Sequence, residues 1–183
     1  MCDHPDLREV PLSEKEMFHG VLIDVTHMQV RLPNGQTALR EVVRHKGAAA
    51  VVPVDDEGNV YLVRQHRVVV DLMTLEIPAG KLDYVGEDPL ACAHRELEEE
   101  TGKRAGRAEF LCELYPSVGF CTEKIQLFFA TELTAGTQKL DADEFVEIEK
   151  YTLEEAIAMI HKGEIKDGKT IAALFAWQAR KNA

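Results

Sequence analysis

Four glutamates fall within the five positions 96–100, in the stretch Arg95-Glu96-Leu97-Glu98-Glu99-Glu100-Thr101-Gly102. The segment reads as a helix, in which residues three and four apart share a side, so Glu96, Glu99 and Glu100 stand together. Like charges at that spacing repel. Arg95 is the only basic residue in the run, which supplies no lysine before Lys103 just beyond it. A hard divalent cation would relieve the repulsion, because Mg²⁺ takes oxygen ligands and is held by carboxylates together with substrate phosphates. On the glutamates alone, a solvated acidic face is an equal reading.

The flanking residues narrow the choice. Leu75-Glu76-Ile77-Pro78-Ala79-Gly80-Lys81-Leu82 reads as a short strand running into a turn. Gly86-Glu87-Asp88-Pro89 reads as a helix start, with Pro89 near the first helical position and acids in the first turn. Leu90, Ala93 and Leu97 give that helix a core-facing stripe, and Gly102 is a natural stop. The unit is therefore strand, loop, acidic amphipathic helix, glycine.

Elsewhere the pattern alternates strands with helices. Residues 17–25, 27–32 and 37–44 read as three short strands, the last two joined by the turn Pro33-Asn34-Gly35. Three strands are too few to form an independent core, so they need something to pack against. Residues 47–54 form a nearly continuous apolar run, as expected of a buried central strand, and 55–59 turn into a strand at 60–64. Further strands are expected at 108–115, 124–131 and 145–151. Thr152-Leu153-Glu154-Glu155 is a capping box opening a helix through His161. A last helix, 169–180, turns Ile171, Leu174 and Trp177 or Phe175 inward. The mixture predicts an α+β fold or an α/β/α sandwich.

At 183 residues and 45% hydrophobic composition, the chain suits one domain with a small appendage. The net charge of −11 argues against a general nucleic-acid binder, which carries a basic patch. An anionic phosphate substrate would need metal ions and local arginines to offset that field. No apolar run approaches the roughly 20 residues of a membrane span. Met1-Cys2-Asp3-His4-Pro5-Asp6 lacks a basic region followed by an apolar core, so no signal peptide is expected and a cytoplasmic location is. Cys2, Cys92, Cys112 and Cys121 show no C-x-x-C spacing and read as buried apolar residues or free thiols.

Gly80, Glu87 and Arg95-Glu96-Leu97-x-Glu99-Glu100-x-Gly102 resemble the signature of the Nudix hydrolases, G-x5-E-x7-R-E-U-x-E-E-x-G-U with U apolar. The spacing from Glu87 through Gly102 matches. Six residues, not five, separate Gly80 from Glu87, and Lys103 takes the last apolar position, where it is expected to turn to solvent. More of the chain, about 17–180, resembles the ADP-ribose and nucleoside-diphosphate-sugar pyrophosphatase branch. Leu62-Val63-Arg64-Gln65-His66-Arg67 looks like its L-V-R-Q-Y-R, with His66 for tyrosine. Residues 75–80 match its L-E-I-P-A-G, and Tyr115-Pro116-Ser117-Val118-Gly119-Phe120 resembles Y-x-S-P-G-F, with Val118 for proline. Glu123 falls where the branch carries an acid, and 140–147 resemble its late acidic loop.

The resemblance implies a Nudix α/β/α sandwich with a mixed sheet over 47–183, preceded at 1–46 by a small antiparallel sheet. Relatives exchange that sheet between subunits, so a homodimer is implied. Glu96 and Glu100 are the best metal ligands and Glu99 the next, joined by the carbonyl of Ala79, with Mg²⁺ (or Mn²⁺) as the ion. Arg95 is read as holding a neighbouring glutamate in position. Glu87 does similar structural work or is a plain helix N-terminal acid. Gly80 and Gly102 are structural. The general base is implied to come from the late acidic loop, Glu144 first and Glu147 second, and an exposed acidic turn is an equal reading there. Arg64 and Arg67 are candidates for the substrate phosphates or ribose, with Glu76 beside them, and strand alternation is taken to keep both arginines off the face of Gln65. One of the two has a surface-strand role as an equal alternative. Phe18 is a candidate for stacking on the base, with a core role as the alternative.

Three functions follow. The first is hydrolysis of ADP-ribose to AMP and ribose 5-phosphate. The second is the same chemistry on another nucleoside-diphosphate sugar, such as GDP-mannose or ADP-glucose. The third is a nucleotide-sensing Nudix module without catalysis; such modules lose signature glutamates, which are intact here.

Overall fold

The structure, a computed structural model, describes residues 7–181, so the readings made on Cys2 and on the first six residues lie outside it. Two compact units are present. One comprises the chain through Lys46 together with Ser117–Glu123, and the other comprises Gly47–Pro116 with the chain from Lys124 onward.

In the first unit, β1 (Val10–His19), β2 (Asp24–Arg31) and β3 (Thr37–Arg44) form an antiparallel meander in that order. The expected strand at 17–25 is instead the end of β1, a turn closed by the Gly20 amide on the Ile23 carbonyl at 3.0 Å, and the start of β2. Every residue of β1 is exposed, so the strand has no burial period by which to find its start. Arg44 Nε reaches Glu14 at 2.9 Å, and the Thr26 hydroxyl donates to the same carboxylate at 2.6 Å. The later segment pairs with β3: the Val43 amide donates to the Phe120 carbonyl at 2.7 Å, and the Thr122 amide donates to the Val43 carbonyl at 2.9 Å.

In the second unit, β4 (Ala48–Pro53), β7 (Ala79–Lys81), β8 (Lys103–Leu114) and β9 (Ile125–Ala135) form a mixed sheet of order β7-β4-β9-β8, parallel only between β4 and β9. β4 is buried on both faces, as its unbroken apolar run requires. Ala49 and Val51 face α1 (Pro89–Thr101), meeting Cys92, Ala93 and Leu97. Ala50 and Val52 face the main core, built with Ile157 and Ile165 and with Leu174 and Trp177. Those residues come from α2 (Leu153–Lys162), α3 (Gly168–Lys181) and the link between them. The central sheet therefore lies between helices on either side, the α/β/α sandwich that was expected. The same core takes Val60, Leu62 and Leu75 from a second, antiparallel sheet of β10 (Glu147–Thr152), β5 (Asn59–Arg67) and β6 (Leu72–Glu76).

Two expectations are corrected here. Gln65 and Arg67, two apart on β5, share a face opposite Thr74 and Leu72; only Arg64 points the other way. Lys103 does not turn to solvent: its ammonium sits 4.2 Å from the centre of the Tyr61 ring, a cation–π contact that serves the last signature position in place of an apolar side chain.

Glu76, 2% exposed, ties the second sheet to α3. Arg67 grips it with two bonds of 2.8 and 2.9 Å, the Thr74 hydroxyl donates at 2.6 Å, and the Lys169 ammonium closes the cluster. Burial pushes this carboxyl up, but Arg67 and Lys169 pull it further down, from 4.5 to about 2. The folded form releases its proton at lower pH than the unfolded one. Its contribution is therefore complete above about pH 4.5 and lost as the pH falls to about 2. Urea unfolding followed across that window is expected to give a shallower acid loss of stability for Glu76→Gln than for the wild type.

Candidate active site

Helix α1 carries the site, and local chemistry fixes both of its ends. Asp88 caps it by accepting the Leu90 amide at 3.1 Å, Pro89 opens it, and Gly102 at φ 63° stops it with its amide on the Glu98 carbonyl at 2.8 Å. The acids expected in the first turn lie just before it instead, since Asp88 is the cap. The face that buries Cys92, Ala93 and Leu97 also buries Glu96 and Glu100. Glu98 lies off that face and pairs with Arg104 at 2.7 Å.

Glu96 and Glu100 meet the backbone that enters and forms β7. Glu100 accepts the Ala79 amide at 3.1 Å. A Cβ at position 80 would lie 1.9 Å from Glu96 Oε1, so Gly80 is required for the carboxylate to sit where it does. Burial pushes Glu96 up to about 7; Arg95 opposes this, while Glu99 and Glu144 add to it. Burial, then repulsion from Glu96 and Glu144, pushes Glu100 up to about 8 against the Ala79 amide and Lys169. The helix thus holds two acids that resist ionising together.

Arg95 is the hub on their flank. One terminal nitrogen reaches Glu96 at 2.6 Å and Glu99 at 3.2 Å; the other lies 3.6 Å from Glu87 and 3.7 Å from Asp83. Its Nε is buried without a hydrogen-bond partner among the described residues. Glu87 also accepts the Asp83 amide at 2.6 Å, closing the loop that carries the extra residue.

The remaining candidates are more scattered. Arg64 is engaged by Glu149, with a second bond of 3.1 Å, and Arg67 by Glu76, so both arginines already have carboxylate partners. Glu144 is exposed, and its carboxylate accepts the Asp141 amide at 3.2 Å across its own turn, within electrostatic reach of Glu96 and Glu100. Glu147 is exposed at the start of β10, opposite Arg64. Phe18 belongs to the first unit, exposed on β1. A cavity of about 300 Å³ beside β5 and β6 is lined by Arg64, Met73, Thr74 and Lys166, and none of the signature glutamates lines it. The sequence reading missed Lys169, Thr170 and Asp167. Asp167 accepts the Thr170 amide at 2.9 Å, and that D-x-x-T spacing at a helix start was a visible cap, though its long-range partners were not.

Among the described residues no three His, Cys, Asp or Glu side chains converge as a ready metal cage. The donor set nonetheless fits Mg²⁺, which needs only one or two carboxylates plus substrate phosphates. Two buried, mutually repelling carboxylates against a backbone cleared of side chain are what a hard cation neutralises. Gly80→Ala is expected to displace Glu96 and weaken Mn²⁺ binding about tenfold or more while far-UV circular dichroism stays native. Titration calorimetry checks this.

Residues 44–174 match the NUDIX domain family. The ADP-ribose pyrophosphatase of Bacillus subtilis (strain 168) is 42% identical over 170 residues, covering 92% of this chain and 91% of that protein. The methanol dehydrogenase activator of Bacillus methanolicus is 41% identical over 168 residues, covering 91% and 90%. Among solved structures, an ADP compounds hydrolase is similar with a TM-score of 0.83 over 94% of both chains at 22% identity, a likeness of fold. With the glutamate pair, the Gly80 approach and the Arg95 hub built on the matching residues, this chain belongs to the Nudix hydrolase family.

Proposed function

We propose that this enzyme hydrolyses the pyrophosphate bond of ADP-ribose, giving AMP and ribose 5-phosphate. The observation that carries the reading is the buried Glu96–Glu100 pair against Ala79 and Gly80, on a chain alike along 92% of its length to an ADP-ribose pyrophosphatase. Glu96, Glu99 and Glu100 with the Ala79 carbonyl would hold Mg²⁺, or Mn²⁺ in its place. Such an ion neutralises phosphate charge and lowers the pKa of a bound water.

This chain's own groups do the rest. Water attacks one phosphorus, its oxygen forms the new P–O bond, and the bridging P–O bond breaks toward the other phosphate. Glu144 is the proposed base that takes the water's proton; its exposed carboxylate and its electrostatic reach to Glu96 and Glu100 support that role. Arg95 holds Glu96 and Glu99 in place. Arg67 keeps a side chain 45% exposed while gripping Glu76, which suits it to meet a substrate phosphate better than Arg64, at 30%.

The first unit, with the exposed Val10, Leu12, Met17 and Phe18 along β1, is the proposed homodimerisation sheet, and Phe18 the proposed base-stacking residue. No described helix is long and apolar enough to cross a membrane. The same reading puts the enzyme in the cytoplasm, where thiols such as the free Cys112 and Cys121 stay reduced.

A panel of ADP-ribose, ADP-glucose, GDP-mannose and a nucleoside triphosphate, assayed with Mg²⁺ and with chelator, tests the proposal. Chelator-sensitive release of AMP fastest from ADP-ribose is expected. Preference for GDP-mannose or ADP-glucose would keep the chemistry and replace the substrate, and tight binding without turnover would make the chain a sensor. Glu144→Gln is expected to lower kcat about 100-fold or more; unchanged turnover removes it as base. Sedimentation at micromolar concentration is expected to give a dimer, and a monomer would sink the proposed interface.

A further inference from the structure

The N-terminal turn of α3 contributes nothing to the signature, yet it grips the backbone that leads to the glutamate pair. Asp167 accepts both the amide and the hydroxyl of Thr170, at 2.9 and 2.6 Å, and lies 3.0 Å from the Lys169 ammonium. Thr170, fully buried, uses its hydroxyl oxygen to accept the Ile77 amide at 2.9 Å. Lys169 holds the Glu76 carboxylate immediately before it. Three residues on, the Ala79 amide donates to Glu100, and between them the Pro78 carbonyl accepts the Val51 amide at 2.9 Å. The segment 76–79 is thus fastened at 76 and 77 by α3, at 78 by β4 and at 79 by the helix that carries the site. Lys169 is also within electrostatic reach of Glu100 itself, as is Arg67.

We propose that Lys169 and Thr170 are positioning residues for this site: through Glu76 and the Ile77 amide they fix the 76–79 backbone against which Glu100 and Glu96 are set. The inference deepens the pyrophosphatase reading and rests on it. A backbone shift of a few tenths of an ångström at Ala79 moves the carbonyl proposed to bind the metal and the amide that orients Glu100. Loss of the clamp therefore acts on metal affinity and on kcat more than on substrate KM. A pair that merely staples α3 to β6 would change melting temperature alone.

The test compares Lys169→Met, Thr170→Val and Thr170→Ser with the wild type, by Mn²⁺ affinity from electron paramagnetic resonance and by separate kcat and KM. The Met and Val changes are each expected to weaken Mn²⁺ binding and lower kcat about tenfold or more with KM within about threefold, while Thr170→Ser, which keeps the hydroxyl, stays near wild type. Native Mn²⁺ affinity and kcat in a folded Thr170→Val variant overturn the proposal, whatever its melting temperature. Should Lys169→Met fail to fold, the Val and Ser pair decides. A wild type that turns over no sugar nucleotide sinks the pyrophosphatase reading, and the Mn²⁺ affinities of the variants still judge the clamp.

Discussion

Two carboxylates buried one helical turn apart are the constraint to which the second unit is fitted. Glu96 and Glu100 lose hydration without gaining full neutralisation from the chain, and a charge so placed is tolerated only where partners are exact in position. The fold supplies partial relief from three directions. Arg95 lies along the helix, the Ala79 amide comes from β7, and Lys169 acts from α3 at a distance. What is left unrelieved is the repulsion that the proposed cation would neutralise. The hydrophobic stripe of Cys92, Ala93 and Leu97 holds the helix against β4 while Glu96 and Glu100 face the backbone of β7.

The supporting ion pairs divide by burial. Glu76 is enclosed and its partners converge on one carboxylate, so removing any one of them strands a charge. Glu98 with Arg104, and Lys150 with Asp55 and Glu57, lie toward the surface, where solvent screens the attraction and such pairs add little. The molecule's polar specificity therefore resides in a few enclosed clusters, and they lie on the same side chains and backbone that frame the glutamates.

What the sequence made legible was local in origin. The start at Pro89 and the stop at Gly102, the capping box at Thr152 and Glu155, and the two-faced strand β4 each declare themselves within a few residues. The glutamate pair was readable for the same reason, since its geometry is set by helical spacing alone. Lys103 was misjudged because its partner, Tyr61, lies far back on β5. Arg64 and Arg67 looked available to a substrate because the carboxylates that hold them are set by sheet register, which the sequence does not display. Lys169 and Thr170 were invisible as site residues, although their cap was visible, because Glu76 and Ile77 stand 93 residues earlier. The start of β1 was lost for the opposite reason: a strand exposed throughout carries no periodic signal at all.

The first unit is discontinuous in sequence. The edge of β3 at Val43 finds its partners in Phe120 and Thr122, more than seventy residues downstream. A chain emerging from the ribosome adds about 5–20 residues per second, so the N-terminal meander waits several seconds with an open strand edge before its own closing segment is made. The unit that appears first is thus among the last to be finished. The chain also has no point near residue 46 at which cutting would yield two complete pieces, because the piece removed would leave seven of its residues behind.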